Sequence, residues 1–246
     1  MEGVKRWTRR ARASLIAFLA RNKPLVRDPL ALIYLRGDGV EYGALNWVQR
    51  VGKGVRVRYA DIAQVEKLEK NYPQHAGRIA VPQIVCSIET LEPFGTESLD
   101  FFIANHVLEH VEDPILAFKA IYRVLKPGAI FFLTLPDKRY TFDIDREITP
   151  WQHLVKDHEE GPEWSRRSHY EDAATSIFKI PAEELEGWVN QKVAERGDIH
   201  FHVWDQAAMI ELLDGLRREY GIRFDIEALS KTGLETIFVL RKPPTA

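Results

Sequence analysis

The segment that most constrains this chain is Leu99-Asp-Phe-Phe-Ile-Ala-Asn-His-Val-Leu-Glu-His-Val-Glu-Asp-Pro114. Its core, Phe101 to Ala104, is apolar on consecutive residues, which fits a strand buried on both faces. It turns polar at Asn105-His106 and reaches Asp113-Pro114, an N-cap residue followed by a proline suited to the first helical turn. A buried strand that delivers polar groups just ahead of a helix is how an open α/β sheet builds a ligand crevice.

The flanking sequence repeats that strand-then-helix rhythm. Val40–Gly43, Val55–Asp61 and Gln83–Ile88 read as strands before it. Ile115, Phe118, Ile121, Tyr122 and Leu125 then follow a helical period, with Lys126-Pro-Gly128 as the stop. Ala129–Leu135 is a second continuous apolar strand. A helix is predicted from Asp205 to Gly221. Ile222–Ile226 and Glu235–Leu240, joined by a turn at Lys231-Thr-Gly233, read as an antiparallel edge pair. The expected fold is therefore α/β, a doubly wound, Rossmann-like sheet, mostly parallel with an antiparallel C-terminal pair. Residues 136–203 break the rhythm and read as a helical cap inserted into the core. The expected division is 1–35 as a basic N-terminal helix region, 36–135 with 204–246 as the cofactor-binding core, and 136–203 as the cap.

Composition narrows the function classes. With a net charge of −2 the 246-residue chain offers no basic field for nucleic acid. One cysteine, Cys86, excludes an internal disulfide and suits a reducing, cytoplasmic setting. No stretch reaches the ~20 apolar residues of a membrane span, and no signal peptide is expected. Residues 4–21 carry Trp7, Ala11, Leu15, Phe18 and Leu19 at helical spacing amid six basic residues. One reading is peripheral contact with an anionic membrane surface; the other is a leading helix with a solvated basic face, favoured by the short apolar stripe. The sequence leaves the oligomeric state open.

The strand ends point to a cofactor. A dinucleotide needs glycines that let backbone N–H groups approach a pyrophosphate, and Glu41-Tyr-Gly-Ala-Leu-Asn-Trp-Val48 has one glycine. S-adenosylmethionine (SAM) has no phosphate; it needs acceptors for a diol and an ammonium, and the acids Glu41 and Asp61 suit that need better. The run Leu99–Pro114 with Arg123-Val-Leu-Lys-Pro-Gly128 resembles the class I SAM-dependent methyltransferases, and within them the type 11 group. The resemblance spans roughly residues 38–136 and, more weakly, 200–241. It implies SAM as cofactor, bound by Glu41 and Gly43 of the first motif, Asp61 at the ribose, Ser87 and Ile88 at the adenine, and Asn105 and His106 along the methionine moiety. Two departures are the single glycine of the first loop and Ser87 where the family usually has an acid. They favour a rival reading, a non-catalytic binding or scaffold protein on the same fold.

Pro136-Asp-Lys-Arg-Tyr-Thr-Phe-Asp143 is similar to a bacterial subgroup linked to surface polysaccharide biosynthesis. That resemblance implies O-methylation of a carbohydrate or another small polar acceptor, with Asp137, Arg139, Tyr140 and Asp143 as acceptor-binding residues. In the cap, Thr149-Pro150 starts a helix that places His153 and Asp157 four residues apart. A carboxylate orienting a histidine prepares a general base, and the same spacing is common on a solvated helix face. His153, Asp157 and His169 are the catalytic candidates. His200 and His202, at strand spacing, are further candidates for acceptor or metal contact. His106 and His110 lack the zincin pattern, and no histidine group has a strong ligand signature, so no metal is expected.

Overall fold

The structure, a computed structural model, describes residues 24–244. The basic helix expected over 4–21 lies outside the described residues. A seven-stranded sheet forms the centre, in the order β3-β2-β1-β4-β5-β7-β6. Its strands are β1 (Asp38–Tyr42), β2 (Arg56–Asp61), β3 (Ile84–Val85), β4 (Leu99–Asn105), β5 (Leu125–Pro136), β6 (Asp225–Thr232) and β7 (Glu235–Arg241). β1 to β5 run parallel, and β7 is antiparallel to both β5 and β6. Strand order reverses between β1 and β4, which are neighbours in the sheet.

The consecutive apolar residues of the central strands are explained by burial on two faces. Phe102 and Ala104 of β4, Phe131 and Leu133 of β5, and Phe238 and Leu240 of β7 join one core cluster. The intervening Phe101, Ile103, Phe132, Ile237 and Val239 join another. Helix α1 (Pro24–Tyr34) packs Ala31 against the second face. Helix α3 (Pro114–Val124) packs Ile115, Phe118 and Ile121 against the first. Its start is as expected: the Asp113 side chain accepts from the Leu116 N–H at 2.9 Å, with Pro114 in the first turn. α2 (Val65–Asn71) follows β2. α7 (Gln206–Tyr220) is capped by Asp205 and ends at Gly221, φ +67.

Four expectations of local structure change. The Lys126-Pro-Gly128 stop is part of β5, because α3 ends at Val124 and Leu125 already pairs with Leu99. A register shift between Leu99 and Phe101 absorbs the irregular backbone there. β3 shrinks to two residues, because only Ala60 and Asp61 pair with it. The last pair begins at Asp225 rather than Ile222; Phe224 instead packs on Tyr122 and Phe131. Residues 200–202 form no strand: the N–H groups of Phe201 and His202 donate to the carbonyl of Glu109.

Between β5 and α7 lie three helices, α4 (Trp151–Glu160), α5 (Glu163–Ala173) and α6 (Ala182–Glu195). Tyr170, Ala173, Val189, Ile199 and Phe201 give this segment a small core of its own. α4 is tied to the sheet side through Trp151 and Leu154, which join the main cluster with Leu212 and Leu216 of α7.

Candidate active site

The carboxyl ends of β1, β2 and β4 bring Glu41, Gly43, Asp61, Asn105 and His106 to one edge of the sheet. Glu41 is 1% exposed, and its two oxygens accept from the Gln49 N–H at 3.0 and 2.9 Å. Burial pushes its pKa up to about 7, against the opposing pull of the Gln49 N–H, Arg27 and Asn105. Glu41 thus anchors the loop after β1 rather than offering a solvated carboxylate. This explains how the loop keeps its form with one glycine. Gly43 holds φ +68, and a Cβ there would meet Val107 Cγ2 at 2.8 Å, so both the backbone angle and the space at this position favour glycine.

Asp61 is 6% exposed, and its Oδ1 accepts from the Ile62 N–H at 2.8 Å. Burial raises its pKa to about 6, opposed by the Ile62 and Ala63 N–H groups and reinforced by Asp198. Ser87 Oγ accepts from the Glu89 N–H at 3.1 Å, and Ile88 is buried. Asn105 Oδ1 accepts from the Thr134 hydroxyl at 2.6 Å, across the β4–β5 pair.

His106, expected along the methionine moiety of the cofactor, is held between two buried carboxylates. It holds φ +57, and its Nε2 lies 2.6 Å from Glu235 Oε2 at the start of β7. Glu235 also pairs with Arg27 of α1 at 3.2 Å, with both side chains buried. On its other side His106 Nδ1 is 3.4 Å from Glu109.

Glu109 begins a network that sequence spacing did not reveal. Its carboxylate, His110 and His200 place ligand-capable atoms within 4.8 Å of one another. His110 Nδ1 meets Asp198 at 2.7 Å, His200 Nδ1 meets Asp143 at 2.7 Å, and Asp198 accepts from the Tyr72 hydroxyl at 2.5 Å. Burial alone would raise the Glu109 pKa; the His106 hydrogen bond and the charges of His106, His110 and His200 outweigh it and lower it. Burial likewise opposes protonation of His110, yet the Asp198 hydrogen bond and the Glu109 charge lift it to about 9. Phe142, 58% exposed, packs on His200 with ring centres 4.7 Å apart and planes tilted by 38°.

The expected acceptor-binding residues are largely committed to architecture. Asp137 is fully buried and takes both Nε and Nη2 of Arg139, at 2.9 and 2.6 Å. Asp143 is buried and holds Arg146 as well as His200. Tyr140 carries the Lys231 ammonium over its ring at 3.4 Å.

The three catalytic candidates do come together, with His202 added. His153 Nε2 stands 3.1 Å from His169 Nε2 and 3.1 Å from Asp157 Oδ2; His202 Nε2 is 3.8 Å from that same oxygen. The solvated-face alternative fails, because the Asp157 side chain is completely buried. Burial, with the neighbouring histidines, depresses the pKa of His169 to about 4 and of His202 to about 3. Both rings are therefore neutral near pH 7.

An open depression of about 600 Å³, lined by Tyr34, Arg36, Asp100, Gly128 and Arg241, lies at the amino ends of β4 and β5. It is at the wrong end of the strands for a doubly wound sheet, whose ligands bind at the carboxyl edge.

Residues 38–133 match the sequence profile of a family described as a methyltransferase domain. No curated protein matches the chain. A solved protein from Pyrococcus horikoshii OT3 is similar at 19% identity, covering 91% of this chain and 91% of that one, with a TM-score of 0.50. A SAM-dependent methyltransferase from Methanosarcina mazei shares 19% identity over 88% of this chain and 98% of its own, with a TM-score of 0.49. One from Aquifex aeolicus shares 13% over 93% and 97%, with a TM-score of 0.48. At such identities likeness speaks to the fold alone, and the first of these carries it. The profile match carries the chemistry: residues 38–133 are a methyltransferase domain, the chain is an enzyme, and S-adenosyl-L-methionine is its cofactor.

Proposed function

We propose that this SAM-dependent methyltransferase methylates a hydroxyl of a small polar acceptor, a carbohydrate first among them, at the junction of the β4 end and the helical segment 151–195. The observation that carries this reading is the Asp143–His200 pair at 2.7 Å, beside Glu109 and the exposed Phe142 ring. A carboxylate on Nδ1 fixes the imidazole tautomer and leaves Nε2 to accept a proton. An exposed aromatic ring gives the C–H face of a sugar a surface to pack on. The similarity of Pro136–Asp143 to the polysaccharide-linked subgroup supports the same acceptor class.

Bound SAM supplies a methyl group on a sulfonium, ready for in-line displacement. Under this reading Asp61 holds the ribose diol, and the Gly43 backbone and Asn105 border the methionine end. The donor set fits: a buried acid closes β2, and the tight Gly43 turn would be filled by a Cβ. No pyrophosphate cradle is present in the loop Gly43–Gln49, as suits a phosphate-free cofactor. His200 takes the hydroxyl proton as the methyl group moves. Orientation of the partners contributes up to ~7–11 kcal/mol of barrier lowering, against about 3–5 kcal/mol for the base. Loss of the base should therefore slow the reaction without abolishing it.

The test is incubation with methyl-labelled SAM and pools of hydroxylated acceptors, mono- and oligosaccharides included, with product identification by mass spectrometry. Methyl ether formation on a sugar is expected, with kcat falling ~10²-fold or more in His200→Ala and SAM affinity unchanged. Label transferred to nitrogen or carbon acceptors instead would overturn the hydroxyl assignment.

A further inference from the structure

We propose that His153, Asp157, His169 and His202 form a binding site for a divalent transition-metal cation, zinc foremost, inside the helical segment. This departs from the expectation of no metal, and it holds whether or not the acceptor is a sugar. It also reassigns the three catalytic candidates from proton transfer to metal ligation.

The geometry carries the inference. A tetrahedral cation with bonds of about 2.0–2.1 Å sets its donor atoms about 3.3–3.4 Å apart. Here Nε2 of His153 is 3.1 Å from Nε2 of His169 and 3.1 Å from Asp157 Oδ2, and His202 Nε2 is 3.8 Å from that oxygen. All four residues place a ligand atom within 4.8 Å of the others. The set, three imidazoles and one carboxylate, is of the nitrogen–oxygen kind that zinc accepts.

Protons alone satisfy this cluster badly. A single Nε2–H on His153 cannot serve both His169 and Asp157. Asp157 Oδ2 is fully buried and makes no hydrogen bond, and neither does the buried Nδ1 of His202, whose Nε2 stands 3.2 Å from the Glu112 carbonyl and would give up that contact to ligate. A buried carboxylate oxygen that faces imidazole nitrogens at 3.1 and 3.8 Å without a hydrogen bond costs free energy that a cation would recover. The surroundings are those of a held ligand: Asp157 Oδ1 accepts from the Ser165 hydroxyl at 2.6 Å, fixing the carboxylate. His153 is 20% exposed and gives a route from solvent.

The ligands come from three places, α4 (His153, Asp157), α5 (His169) and the segment after α6 (His202). Four protein donors fill a tetrahedral shell, which marks a structural rather than an open catalytic site. The cation would staple α4 and α5 to the irregular segment at 201–202, whose N–H groups donate to the Glu109 carbonyl.

The test uses the full chain, stripped with chelator, checked for folding by circular dichroism and titrated with zinc chloride. One equivalent is expected to bind, with the thermal midpoint rising by at least about 5 °C at saturating zinc. Cobalt should bind in its place with the strong visible absorption of a tetrahedral site. His169→Ala and, as the milder change, Asp157→Asn should each weaken zinc binding at least a hundredfold, and Glu109→Gln should leave it intact. A folded, stripped wild type that takes up no zinc would overturn the proposal. So would binding that survives both substitutions, or that disappears in Glu109→Gln.

Discussion

Both carboxylate oxygens of Glu41 accept from one backbone N–H, that of Gln49, at 3.0 and 2.9 Å. The contact closes the loop after β1 with a buried acid in place of a run of glycines. Because burial raises the Glu41 pKa from 4.5 to about 7, the folded chain holds this proton more tightly than the unfolded chain does. Below pH 4.5 both states are protonated and nothing is lost. From pH 4.5 to 7 only the unfolded state ionises, so stability falls by up to ~1.4 kcal/mol per pH unit and levels off above pH 7. Glu41→Gln removes this slope. Urea denaturation at pH 5 and pH 8 should show the variant gaining on wild type by about 2–3 kcal/mol between the two. A gap independent of pH would refute the assignment.

Asp61 closes β2 as a buried carboxylate with its pKa at about 6. Asp61→Ala should weaken S-adenosylhomocysteine binding at least tenfold by titration calorimetry, about 1.4 kcal/mol or more. Wild-type affinity should also drop as pH falls through 6, because the protonated acid is a poorer acceptor for ribose hydroxyls. Equal affinity for Asp61→Ala and wild type would remove Asp61 from the cofactor site.

Arg27 and Glu235 tie α1 to the first residue of β7, with both side chains buried. Removing one partner of a buried pair costs about 3–5 kcal/mol, whereas replacing both with apolar residues costs far less. Arg27→Met should lose about 3 kcal/mol in chemical denaturation, the low end because His106 still holds Glu235. Adding Glu235→Met should restore part of that loss; additive losses would show that the two do not act as a pair.

Gly215 lies in α7 against Trp151 of α4, where a Cβ would stand 2.4 Å from Trp151 Cε2. Alanine gains about 1 kcal/mol in a helix interior, but forcing a methyl into a packed site costs about 1–3 kcal/mol. Trp151 cannot swing away cheaply, since its Nε1 donates to Glu219 at 2.7 Å. Gly215→Ala should therefore be less stable than wild type by about 1–2 kcal/mol despite its better helix propensity. A stabilised variant in thermal melts would mean the contact is loose.

The parts of the fold that were legible are those whose cause is local. Asp113-Pro114 starts a helix because an N-cap and a first-turn proline act within four residues. The apolar runs of β4 and β5 mark two-sided burial because successive residues alternate faces. β3 is shorter than its apolar run predicts, since a strand needs a neighbour and Ile84–Val85 alone finds one. In α4 the spacing of His153 and Asp157 was visible, but the face was not. Asp157 sits one turn from Leu154, beside the apolar stripe, and its neighbours decide that it is buried.

The sequence by itself determined the sheet class, the strand ends that carry polar groups, and the methyltransferase resemblance, because periodicity, capping and motif spacing act over short stretches of chain. Only the tertiary structure decided which side chains meet. Asp143 and His200 are 57 positions apart and His106 and Glu235 are 129 apart, yet they close to 2.7 and 2.6 Å. The physical reason is that such pairs have no local energy to announce them. Sheet order and the packing of α4 and α5 bring the backbones together, and burial then makes each unpaired polar atom costly enough to fix its partner.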